Sequence, residues 1–457
     1  MARLLTPEEV GLAAIALTFS SLAFLLADLG LGAAIVQRAT LTEADRSTAF
    51  WTNAGLGVLL TLAGVGLSGP IASLFHQPRV QPLLAVLSLT FILTALGTTQ
   101  GSLLIRALHF RSLELRTIAA TAAGVAAAIV IAALGYGPWA IIAQALVVSG
   151  VSTALLWRSS SWRPRLLYST DSLRHLLGFG GAIFGAGVVR YFERNLDNLL
   201  IGRFLGAAAL GVYGVAYNVM LVPVLRLATP LQQVFFPALT QLQASTELAP
   251  IWLRMSRVLA AVTVPAMLGM AVVAPDFIVV LLGEKWRSAI PVLQVLTWVG
   301  ILNVASLQAS LLLEALGRAG AVLRYTIASS IVSAVGFAVG LHWGIVGVAA
   351  GYAIAKTFLV PTYLGWSTRP VGLSLTEFWK AVAGPVQAAA GMAICVLGAR
   401  LLLLDNLSAG PRLAVLILLG LVVYLALCRW RSPELVQDIR QARAQRSAVQ
   451  RVPAQSA

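Results

Sequence analysis

The sequence predicts an all-α polytopic membrane protein: about 13 transmembrane helices in two pseudo-twofold-related lobes, plus a C-terminal helix pair. Three observations predict it. Of 457 residues, 59% are hydrophobic and only 11% charged, against about 25% charged in a soluble domain, so a water-facing surface cannot be covered. The apolar runs are mostly 18–25 residues long, the length that crosses about 30 Å of hydrocarbon as a helix. The chain also repeats itself. Shifted by 200, Leu5, Gly11 and Ala16 fall on Leu205, Gly211 and Ala216. Shifted by 208, Ser102-Leu103-Leu104 falls on Ser310-Leu311-Leu312, and Leu115-Arg116 on Leu323-Arg324. Such self-similarity marks repeated architecture.

The expected spans are 10–36, 48–75, 82–104, 117–134, 138–157, 174–200, 206–226, 252–274, 288–313, 321–340, 344–366, 377–399 and 411–428. The first opens on Thr6-Pro7-Glu8-Glu9, a capping box with proline at the first helical position. Segment 227–250 is the longest connection, bracketed by Pro230, Pro237 and Pro250, with room for a short interfacial helix. Domains divide as an N-lobe at 1–160, a C-lobe at 161–370, the additional pair at 371–430 and a basic tail at 431–457.

Net charge is +15. In a soluble protein that would suggest nucleic acid, but here the cations follow topology. If loop 37–47 is cytoplasmic, 22 of the 32 Lys and Arg share its side, nine lie opposite, and Lys356 sits within a span. That bias sets orientation and places the C-terminus in the cytoplasm. An offset of 200 covers six spans, an even number, so both lobes have the same orientation, related by an axis along the membrane normal. The helix at 174–200 then pairs with residues upstream of Met1, which implies a first helix absent from this chain.

Chemistry by side chains finds no support in the residue pattern. Cys395 and Cys428 lie far apart in apolar runs, and the four histidines are scattered without ligand spacing, so no metal or cofactor is expected. No phosphate-binding Gly-x-x-x-x-Gly-Lys-Ser/Thr motif occurs. A membrane-embedded glycan polymerase or ligase would typically need a sizeable outer loop for its active site, and the short outer loops here disfavour it.

Ionisable residues inside spans are the sharpest local signals, because a charge facing lipid at mid-depth costs about 2.5–3.5 kcal/mol. Arg190, Glu193, Arg194 and Asp197 lie on one helix, with Arg190 and Arg194 four apart and Glu193 and Asp197 four apart. Two cations in a wet cavity suit a pyrophosphate or acidic sugar; the alternative is mutual neutralisation within the helix. Asp28 and Arg226 reach related depths in the two lobes and are candidates to face one another and close the inner side. Lys356, beside the Gly347 and Gly351 small-residue stretch, is a cavity candidate or a snorkelling residue. Tyr217, one turn from Tyr213, is a candidate to stack on sugar rings, or else packs.

Several ordered stretches carry a resemblance. They are Ala2-Arg3-Leu4-Leu5-Thr6-Pro7-Glu8-Glu9-Val10-Gly11, Ala27-Asp28-Leu29-Gly30-Leu31, Arg194-Asn195-Leu196-Asp197-Asn198-Leu199-Leu200-Ile201-Gly202-Arg203, Leu210-Gly211-Val212-Tyr213 and Phe236-Pro237-Ala238-Leu239. Together they resemble the polysaccharide transporter branch of the multidrug/oligosaccharidyl-lipid/polysaccharide superfamily, the lipid-linked oligosaccharide flippases. The resemblance implies a transporter and not an enzyme. Its substrate would be an undecaprenyl-pyrophosphate-linked oligosaccharide moved across the bacterial inner membrane for O-antigen, capsule or exopolysaccharide synthesis. It implies membrane lipid and downstream polysaccharide polymerase machinery as partners, with no nucleic acid. A multidrug or cation antiporter of the same superfamily is the first alternative, and a membrane-embedded glycan polymerase or ligase the second.

Overall fold

The computed structural model describes residues 3–243, 245–402 and 407–434. Within these, the side chains of 27, 28, 178–183, 186, 189, 190, 193, 233 and 234 lie outside the description. The described residues form helices joined by short turns, with no strand among them. Each of the thirteen expected spans falls on a helix. Among the described residues, eleven stretches are long and apolar enough to cross a membrane; one of them, Ala319–Val371, contains two helices that are each of membrane-crossing length.

Helix α1 (Pro7–Asp28) starts where the capping box places it: Glu9 N donates to Thr6 Oγ1 at 3.3 Å and Thr6 N to Glu9 Oε2 at 2.8 Å. It stops at Leu29 and Gly30, both left-handed (φ 47° and 76°), so span 10–36 is a broken helix completed by α2 (Leu31–Gln37). A second capping box, Thr42 with Asp45, opens α3 (Glu43–Leu74). Helices α4 (Val80–Leu87) and α5 (Leu89–Arg106) make one span jointed at Ser88, whose carbonyl accepts from Thr61 Oγ1 at 3.1 Å. The hairpin of α6 (Phe110–Ala133) and α7 (Trp139–Ser159) turns on Gly135 and Gly137, both at positive φ. Helix α8 (Thr170–Phe204) follows.

Helix α9 (Gly206–Pro223) does not end where a loop was expected. It runs through one π-helical turn (Val224–Ala228) into α10 (Thr229–Gln241). Pro230 lacks the N–H that a regular helix would use there, and a π turn re-registers the ladder past it. Then come α11 (Leu248–Leu281), α12 (Ala289–Ala315), α13 (Ala319–Gly340), α14 (Gly344–Thr368), α15 (Leu375–Leu402) and α16 (Ala409–Arg431).

The chain divides into two compact units, Met1–Gly214 and Val215–Ala457. In the first, Leu31, Ala34, Ile35, Ala49 and Leu176 form a buried cluster between α2, α3 and α8. In the second, α13 and α14 cross backbone to backbone, Gly336 against Gly351 and Gly340 against Gly347. The α15–α16 pair packs on α11 through Val273, Met392, Val396, Leu413 and Leu416. Ion pairs hold both ends of that packing: Asp276 takes Arg400 and Arg412, while Arg257 takes Glu434 and the Ala381 carbonyl. Large apolar side chains such as Leu62, Ile118, Phe358 and Val422 point outward, as lipid contact requires.

The repeat is visible in the turns. After α5, Leu108 N bonds Ile105 O and His109 N bonds Leu104 O; after α12, Gly317 N bonds Glu314 O and Arg318 N bonds Leu313 O. The two turns share this pattern, with positive φ at Leu108 and Gly317, 209 residues apart. The starts of α6 and α13, and the ends of α7 and α14, keep the same offset. The sequence identities at 208 are thus one residue out of register, since short Leu/Ala-rich strings recur at neighbouring offsets. In the structural register Arg116 falls on Tyr325.

Candidate functional site

Helices α1 and α9, matched by the 200-residue repeat, cross in close backbone contact. A side chain on Gly11 would overlap the backbone of Ala207, and one on Gly211 the backbone of Pro7. Shifting the first contact by 200 turns it into the second. A contact in which each partner swaps roles is what a twofold relation produces, and glycines permit it by removing the Cβ from the crossing. The same end is tied by Arg79 to Glu8 at 3.2 Å and by Arg203 to His76 at 3.2 Å.

Helix α8 lies against α1 here: the Tyr191 hydroxyl donates to the Thr18 carbonyl at 2.9 Å. Asp197, 4% exposed, is enclosed beside this seam. Its Oδ1 accepts from Asn198 N at 2.8 Å, and Tyr213 of α9 is its side-chain partner. Arg194, one turn earlier, is exposed, and no ion pair joins it to Asp197 among the described residues. Along this helix Asp197 is therefore buried and Arg194 exposed, without the mutual neutralisation the sequence allowed between them. The side chains of Arg190 and Asp28 lie outside the described residues. Tyr213 is fully buried in the packing, whereas Tyr217 is half-buried and Arg226 exposed on the π turn.

Lys356 is 5% exposed and does not snorkel. Its ammonium donates to Ser329 Oγ of α13 at 3.0 Å and stands 5.5 Å from the Tyr352 ring, a contact of cation–π type. Along α13 from this point runs a ladder that the sequence did not reveal. Tyr325 stacks on Tyr363 at 3.5 Å between centroids, their hydroxyls pairing with Ser306 and Ser310. Arg324 then covers Trp366 at 5.6 Å. These residues come from three helices, and no local spacing signals their meeting.

Chemically these places offer polar groups inside an apolar frame and no reactive set. No cluster of His, Cys, Asp or Glu fit to hold a metal occurs among the described residues.

The chain matches the polysaccharide biosynthesis protein family over residues 1–291. It is 30% identical to the lipopolysaccharide biosynthesis protein WzxC of Escherichia coli strain K12, covering 82% of this chain and 79% of that protein. It is 29% identical to the teichuronic acid biosynthesis protein TuaB of Bacillus subtilis strain 168, covering 88% and 84%. Among solved structures, the lipid II flippase MurJ in an inward closed conformation superposes with a TM-score of 0.75 at 16% identity, covering 94% of each chain. An inward-facing multidrug resistance transporter of the MATE family gives 0.63 at 17% identity over 82% of this chain and 92% of that one. The chain belongs to the polysaccharide biosynthesis protein family, on the fold of the multidrug/oligosaccharidyl-lipid/polysaccharide superfamily.

Proposed function

We propose that this chain is a flippase. It carries an undecaprenyl-pyrophosphate-linked oligosaccharide from the cytoplasmic to the periplasmic leaflet of the bacterial inner membrane, by alternating access, for cell-surface polysaccharide synthesis. The observation that carries the reading is the reciprocal crossing of Gly11 with Ala207 and Gly211 with Pro7. A transporter that alternates must be able to shut one end, and a close glycine-to-backbone crossing between repeat-related helices is suited to that closure. Arg194, Arg226, Lys356, Asp28, Arg190, Asp197 and Tyr217 remain the candidates along the path of the head group. Moving it needs no covalent step: a hydrated, cationic route lowers the barrier while the lipid tail stays in the bilayer. The C-terminus lies in the cytoplasm, on the side of the arginine-rich loops.

Deleting the gene should leave lipid-linked oligosaccharide in the cytoplasmic leaflet, and this chain should clear it. Gly11→Leu, which places a side chain inside the seam, should be made and inserted yet fail to clear it. If deletion causes no accumulation, the flippase reading is wrong. If Gly11→Leu clears as well as the parent, the seam is not the closure.

A further inference from the structure

The arginine-rich end of the second unit holds a pocket that the proposed transport path does not use. The turn at Gly317 (φ 71°) ends α12 and presents Arg318; one turn into α13 stands Arg324; α14 brings Trp366 just before the Arg369–Val371 turn. A cavity of about 450 Å³ is lined by Arg318, Arg324, Trp366, Leu313 and Pro370. A second, of about 530 Å³, shares Trp366 and is lined also by Arg369, Thr362 and Ser374. Both are in the range of small-molecule pockets, about 300–1,000 Å³. Among the described residues, Arg318, Arg324 and Arg369 form no ion pair, and the Trp366 indole N–H has no hydrogen-bond partner. Glu314, the acid nearest in sequence, is exposed and unpaired as well.

The geometry points to a binding site for the phosphate of a membrane lipid head group, held by Arg318, Arg324 and Arg369 around Trp366. Guanidinium groups take phosphate in a bidentate fashion. An indole settles at head-group depth, and basic pockets between helices on the cytoplasmic side recruit anionic lipid. Interfacial arginine beside tryptophan does not by itself leave such a vacancy. At Trp157, 209 residues earlier, the indole donates to the Leu96 carbonyl at 2.8 Å, and the Arg163 guanidinium is consumed by three carbonyls. The site stands whether or not the chain moves oligosaccharide. Two lipids carry the chemistry, a resident anionic phospholipid and a polyprenyl diphosphate, and the test separates them.

Native mass spectrometry of the full chain in neutral detergent would titrate dioctanoyl phosphatidylglycerol, dioctanoyl phosphatidylcholine, farnesyl diphosphate and inorganic pyrophosphate. One anionic lipid should bind saturably, at least tenfold more tightly than phosphatidylcholine. Affinity should fall about fivefold for each arginine changed in Arg318→Gln, Arg324→Gln and Arg369→Gln, near 1 kcal/mol each. Preference for phosphatidylglycerol assigns the site to a resident phospholipid, and preference for farnesyl diphosphate to the carrier. Pyrophosphate binding as tightly as either lipid overturns the lipid assignment. Equal binding by the parent and the triple variant overturns the site. Should the triple variant not fold, the same comparison is made with Arg324→Gln and Trp366→Phe singly, where unchanged affinity in both is equally fatal.

Discussion

Trp157 and Trp366 end equivalent helices 209 residues apart, each with an arginine over its ring at 5.4 and 5.6 Å, yet the corners differ in what the cations do. In the first unit Arg163 satisfies the carbonyls of Trp157, Ser160 and Trp162. Arg106 does the same for Ile35, Val36, Arg38 and Ala39 at the open end of α2. In the second unit Arg318, Arg324 and Arg369 are left over. The repeated scaffold fixed the position of the corner and left its electrostatics free to diverge. One copy spends its arginines on its own backbone, and the other presents them outward. A buried carbonyl or carboxylate must be satisfied, whereas an exposed guanidinium need not be, so the free set marks where a ligand can be accepted at no structural cost.

That distinction can be broken by mutation. The largest loss is expected where one acid serves two arginines: Asp276 is 1% exposed and receives Arg400 at 2.9 Å and Arg412 at 2.8 Å. Asp276→Ala removes the buried carboxylate that both arginines share and should cost about 3–5 kcal/mol, read as a lower unfolding temperature and easier proteolytic release of α15–α16. Arg106→Ala comes next, at about 2–4 kcal/mol, because four carbonyls lose a charged donor. Arg163→Ala should cost about 1–2 kcal/mol, since its carbonyls are nearer water. Arg324→Gln should change stability by no more than about 0.5 kcal/mol while lowering lipid affinity. If Arg324→Gln destabilises as much as Arg163→Ala, the contrast between spent and free arginines is gone.

The membrane fold was legible because lipid thickness imposes a length on every span, and the start of α1 was legible because Thr6, Pro7 and Glu9 carry its cap. The break at Leu29 and the continuation through Val224–Ala228 were not. Leucine gives no local hint of a left-handed turn, and Pro230 reads as a helix end until a π turn absorbs it. Lys356 stood out as a charge within a span, but its burial depends on Ser329 and Tyr352 closing over it. Asp197 was visible, and its inward aim was not, because α1 and α9 decide which face of α8 is enclosed. Arg318, Arg324, Trp366 and Arg369 are scattered over fifty residues, and only the packing of α12, α13 and α14 gathers them.

Transport depends on whether a polar head group crosses where α1 and α9 close. The direct measurement reconstitutes the parent and Gly11→Leu in vesicles with a fluorescent lipid-linked oligosaccharide and follows its exposure to an impermeant quencher. The parent should render the inner-leaflet pool accessible, and Gly11→Leu should leave it protected. Equal exposure with both proteins, or none with the parent, would contradict this.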